Sequence, residues 1–120
     1  MQIVVNAIFA LELALLFAHE MDAIRKQEWK MFIVLKDMAD EKAYLVFMLL
    51  HVPLYTTLLF LLFSDMETLG YYIADIFLIG HCLLHFCFRN HPANKLKNGV
   101  SNILILAAGA LAIIHLAVIA

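Results

Sequence analysis

His19, His51, His81, His85 and His115 lie inside, or at the ends of, stretches that are otherwise apolar enough to cross a membrane. Glu12 and Asp75 are embedded in the same way. A charged side chain at mid-membrane costs about 2.5–3.5 kcal/mol on insertion scales, so a chain of 120 residues carrying this many ionisable groups is expected to use them. Imidazole and carboxylate together suit zinc, iron, copper or nickel. His81 and His85 stand four apart, one helical turn, so both rings can reach one ion. His19-Glu20 adds an imidazole with an adjacent carboxylate. Glu12 and His19 are seven apart and share a face, with Asp22 three residues further on. His51 and Tyr55 are again four apart. The expected metal ligands are therefore His19, His51, His81 and His85, with Glu12 closing the site from above as a further ligand or a supporting partner. Glu20 or Asp22 is the expected acid–base group. Asp75 and His115 sit higher in the helices and are expected to form a separate pair.

Several chemistries fit such a constellation. A divalent metal, zinc or iron, lowers the pKa of water, and Glu20 or Asp22 would serve as general base in hydrolysis. The site would lie at the inner lipid–water boundary, where a lipid or lipid-linked substrate enters sideways. Iron would equally permit oxidation of an acyl chain. Neither H-E-x-x-H nor a paired E-x-x-H occurs, so the metal expectation rests on convergence of the helices. Haem is the alternative cofactor, with His51 and His81 or His85 as axial ligands, although no C-x-x-C-H attachment motif occurs. A proton relay or transport subunit could use Glu12, His51, Asp75 and His81, which spread over depth. The plainest alternative is an accessory membrane protein whose polar groups only fix helix packing, at roughly 0.6–2 kcal/mol per contact. In that reading Glu20, Asp22 and Glu28 are solvated partners of Arg25, Lys26 and Lys30. His91, beside Pro92, reads as a solvent-exposed loop residue, and His115 as interfacial.

Membrane helices must hold these groups in place. The chain is 65% hydrophobic with a mean hydropathy of +0.92, well above the roughly 45–50% apolar content of soluble domains. It reads as a single integral membrane domain over residues 1–120. Four runs, about 2–22, 43–63, 69–88 and 100–120, each have roughly the 20 residues that a spanning helix needs. They lack barrel-like alternation, so the expected fold is an all-α four-helix transmembrane bundle.

Arg25, Lys26, Lys30, Lys36 and Lys42 lie between the first two runs, and Arg89, Lys95 and Lys97 between the last two; Ser64–Glu67 carries no basic residue. The positive-inside rule places the first and third connections in the cytoplasm and both termini outside, in a bacterial inner membrane. On that topology His51 lies roughly 13 Å into its span, at 1.5 Å per residue. It shares the inner half with His19, His81 and His85.

The connection 23–42 is long for a helix–helix turn. Trp29, Phe32, Ile33 and Lys36 share a helical face, which suggests an extension of the first helix or an interfacial helix with Trp29 as anchor. Asp40 is an expected N-cap. No cleavable signal peptide is expected, because no basic stretch precedes the first apolar run. Cys82 and Cys87 stand roughly 140° apart on a helix and are not expected to bridge. Ala107–Ala110, around Gly109, forms a small-residue face for close helix contact, within the bundle or in a homo-oligomer or larger membrane complex. Membrane lipids are the expected surroundings, and the net charge of −2 gives no reason to expect nucleic-acid binding.

His19-Glu20-Met21-Asp22-Ala23, followed by Glu28-Trp29, resembles the signature of small uncharacterised bacterial four-helix membrane proteins, in which HE-x-D-A ends the first helix and E-W follows. It is also loosely similar to HXXEE-type membrane domains, although Glu20 follows His19 at once. The resemblance implies that His19, Glu20, Asp22 and Glu28 are the best functional candidates. It implies no activity.

Overall fold

The computed structural model describes residues 1–31, 35–94 and 99–120. Four helices follow in order: α1 (Gln2–Arg25), α2 (Asp40–Leu62), α3 (Glu67–Cys87) and α4 (Gly99–Ile119). A short 3-10 helix, Glu28–Met31, lies between α1 and α2. All four long helices are long and apolar enough to cross a membrane. The four expected runs correspond to them, each within a few residues at its ends.

α4 packs against both α1 and α3, and α2 lies against α3. The inward stripe of α1 is Val5, Phe9, Glu12, Leu16, His19 and Ala23, steps of three and four that keep one face turned inward. α4 turns Ser101, Ile105, Ala108, Gly109, Ala112 and His115 inward, and α3 turns Gly70, Ala74, Asp75 and Leu78. Large apolar residues such as Leu49, Leu50, Phe60, Ile76, Leu83 and Ile103 face outward, as a bilayer-facing surface requires.

Small residues set the α3–α4 spacing. A Cβ on Gly109 would come within 2.9 Å of the Cys82 Cβ, closer than packed carbons approach. The small-residue face around Gly109 is thus used within the chain. Gly109→Ala is expected to destabilise the bundle by about 1–3 kcal/mol, because the two helices must separate. Thermal unfolding in detergent would read this as a lowered midpoint. Both cysteines are free.

Two local expectations are corrected. Asp40 is the first residue of α2, not its cap; Ala39 holds the cap position and makes no side-chain cap bond. Trp29, expected as an anchor in the inner membrane interface, is instead buried within the protein. It is only 3% exposed and packs in a cluster with Ala23, Leu35, Ala43 and Phe47. Its indole has enough apolar surface to dock the 3-10 helix onto the ends of α1 and α2. Phe32 and Ile33, also placed on that face, lie outside the described residues.

Candidate metal centre

α1 ends at Arg25, and Gln27 adopts the left-handed conformation at φ 55°. Such a residue after a helix reverses the chain. It turns the 3-10 helix back against the bundle, where Trp29 anchors it and Glu28, the preceding residue, points inside. Glu28 is only 2% exposed, which corrects its reading as a solvated partner of nearby basic residues.

Glu28 meets three imidazoles. His19 comes from the inward stripe of α1, and His81 and His85 come from consecutive turns of α3. Their Nε2 atoms converge: His19 to His81 at 3.0 Å and His81 to His85 at 3.2 Å. Glu28 Oε1 lies 3.0 Å from His85 Nε2 and 3.8 Å from His81 Nε2. Glu28 Oε2 lies 3.4 Å from His19 Nε2. One ligand atom from each residue falls within 4.8 Å of all the others. A tetrahedral ion with bonds of about 2.0–2.1 Å to nitrogen sets its ligand atoms about 3.3 Å apart. The observed separations bracket that edge length. Hydrogen bonds alone serve the arrangement poorly, since every ring turns the same nitrogen inward and a carboxylate only accepts. Burial pushes the Glu28 carboxyl up, but polar contacts with His19 and His85 and their charge outweigh it and hold the group down at about 2. Glu28 is therefore a fixed negative charge among imidazoles, and among the described residues no lysine or arginine pairs with it.

His51, on α2, stands beside this cluster and not in it. Its Nε2 is 2.7 Å from Glu20 Oε2, and its Nδ1 is 2.6 Å from the Phe47 carbonyl oxygen. Both partners are acceptors. A neutral ring has only one N–H, so both contacts are hydrogen bonds only with a further proton between His51 and Glu20. The pair also lines a groove of about 210 Å³ with Ile24, Phe47, Met48, Val52 and Tyr55, which is apolar elsewhere. Phe47 and Tyr55 pack against the His51 ring in tilted contacts, at 4.7 and 5.5 Å between centroids. On the other flank, His85 borders a more polar cavity of about 320 Å³ with Arg89, Asn90, Asn94, Ser101 and Asn102.

The other expected site residues lie elsewhere. Asp22 accepts a hydrogen bond from the Ser101 hydroxyl and ties α1 to α4. Glu12, expected to close the centre from above, lies instead with Asp75 and His115. Asp75 and His115 do form a pair, Nδ1 to the two carboxylate oxygens at 2.9 and 3.1 Å. His115 is fully buried and not interfacial. His91 is half-buried, and its Nδ1 accepts from the Ala93 amide. Glu28 was absent from the expected ligand set because depth was reckoned along the spans alone, while this residue is delivered from a connection. The resemblance marked Glu28 as a functional candidate, and its neighbour Trp29, a large apolar residue in a charged stretch, was the further signal.

Trp29→Ala removes the buried anchor without touching a ligand. It is expected to cost about 3–5 kcal/mol of stability and to weaken metal affinity by roughly 10–100-fold, as lost supporting contacts do. Zinc titration against a chromogenic chelator would check this.

The fold and site define a class: a four-helix bundle of membrane-spanning length with a buried cluster of three histidines and a glutamate. The chain belongs to DUF6713, a family of unknown function whose model matches residues 5–120. No curated protein and no solved structure matches it.

Proposed function

We propose that the chain is a multi-pass inner-membrane, metal-dependent hydrolase that cleaves an ester bond of a lipid or lipid-linked substrate at the cytoplasmic leaflet. The observation that carries this is the convergence of His19, His81, His85 and Glu28 at ligand-edge distances, with the Glu20–His51 pair beside it. Arg25 and Arg89 lie at the same ends of α1 and α3 as His19 and His85, which supports the cytoplasmic assignment and both termini outside.

The mixed imidazole–carboxylate set fits zinc or iron. A divalent ion held there would supply Lewis acidity and make water nucleophilic at neutral pH. The flanking cavities divide the traffic: the apolar groove beside Glu20 and His51 accepts the substrate's acyl end, and the polar cavity beside His85 admits water. Glu20 takes a proton from the attacking water as its oxygen bonds to the carbonyl carbon. The Glu20–His51 pair returns a proton to the departing ester oxygen as that bond breaks. Proton transfer is what such a pair serves best, and this favours hydrolysis over acyl-chain oxidation.

Purified protein in mixed micelles should hydrolyse ester lipids when loaded with zinc or iron, lose the activity on chelation and regain it on metal addition. Metal should also raise thermal stability, by about 2.7 kcal/mol at a hundredfold excess over Kd. Failure of every ester lipid across a panel of headgroups, in protein with stoichiometric metal, would overturn the hydrolase.

A further inference from the structure

Above the three-histidine centre, α1, α3 and α4 bring Glu12, Asp75 and His115 together, all fully buried. One ligand atom of each lies within 4.8 Å of the other two. His115 donates its Nδ1–H to Asp75, which leaves Nε2 with a lone pair and no hydrogen-bond partner. Glu12 lies against the Asp75 carboxylate, and neither of its oxygens makes a well-formed hydrogen bond. Two carboxylates thus face one imidazole, and among the described residues no lysine or arginine pairs with them. Phe9 and Tyr71 pack against the His115 ring at 5.0 and 5.3 Å between centroids.

We propose that Glu12, Asp75 and His115 form a second divalent-cation site, separate from the centre built on His19, Glu28, His81 and His85. A divalent ion held among Glu12, Asp75 and His115 Nδ1 neutralises both carboxylates and gives the Glu12 oxygens, whose desolvation otherwise goes uncompensated, a partner. The nitrogen and oxygen donors point to a zinc- or manganese-like ion, not magnesium. Glu12 and His19 are seven residues apart on α1, so the two sites stand about 10 Å apart along the helix. Leu16, Leu78, Ala108 and Ala112 pack together between them. That apolar layer keeps the two ligand sets apart.

The test is the zinc content of the full chain in detergent, loaded with zinc and passed through a desalting column. Wild type should hold two equivalents, Glu12→Gln one, His81→Ala one, and the double variant none. Loss of an equivalent in Glu12→Gln with His81→Ala unchanged would uphold this second site while removing the three-histidine centre. The second site is overturned if wild type holds one equivalent and Glu12→Gln keeps it; the buried group then holds only protons. Should Glu12→Gln fail to fold, Asp75→Asn replaces it: loss of one equivalent upholds the site and two retained equivalents overturn it.

Discussion

Replacing His81 with alanine is expected to lower the affinity of the three-histidine centre for zinc by more than about 100-fold. His81 Nε2 is the middle atom of the cluster, at 3.0 Å from His19 and 3.2 Å from His85. Its loss removes a ligand and opens the space the other two rings lean on. Losing an outer-shell partner alone costs about 10–100-fold, so removal of a direct ligand should exceed that. Glu28→Gln should act in the same direction, because it removes the fixed negative charge while keeping the shape. His91→Ala should leave affinity unchanged, since His91 sits in the α3–α4 connection and bonds only locally. Competition with a chromogenic chelator would measure all three. Equal affinity in wild type and His81→Ala would mean that metal binds elsewhere.

Glu20→Gln is expected to separate chemistry from metal binding. Hydrolysis of ester lipid should fall by about 10²–10⁴-fold, the usual contribution of a positioned acid–base group, while metal content stays at the wild-type level. The reason is geometric: Glu20 hydrogen-bonds His51 at 2.7 Å and is not among the converging ligand atoms. His51→Ala should follow the same pattern, because it removes the other half of the pair. A parallel loss of metal and activity in Glu20→Gln would place Glu20 among the ligands instead. Unchanged turnover would remove the pair from the reaction.

The four helices and the embedded ionisable groups were legible in the sequence because membrane-spanning length and burial of charge leave strong marks. The facing of each helix was not marked by hydrophobicity, since lipid and neighbouring helices are equally apolar. Polar and small residues were the only guides. They worked for His19, His81 and His85, whose spacing fixed a shared direction, and for the Asp75–His115 pair. They failed for Glu12, which shares a stripe with His19 but lies two turns away, closer to Asp75 than to any ring of the lower cluster. His51 was placed at the right depth but turns toward Glu20. Glu28 was marked as a functional candidate by the family resemblance alone and given no ligand role, because its position depends on a left-handed residue and a docked tryptophan, tertiary features that no helical periodicity encodes.

X-ray absorption of zinc in the full chain carrying Glu12→Gln, which isolates the lower centre, tests the central claim most directly. The fitted first shell should contain three imidazole nitrogens and one carboxylate oxygen at about 2.0–2.1 Å, with the zinc signal lost in the added presence of His81→Ala. A shell of oxygens without imidazole scattering, or no retained zinc at all, would contradict a metal centre at His19, Glu28, His81 and His85.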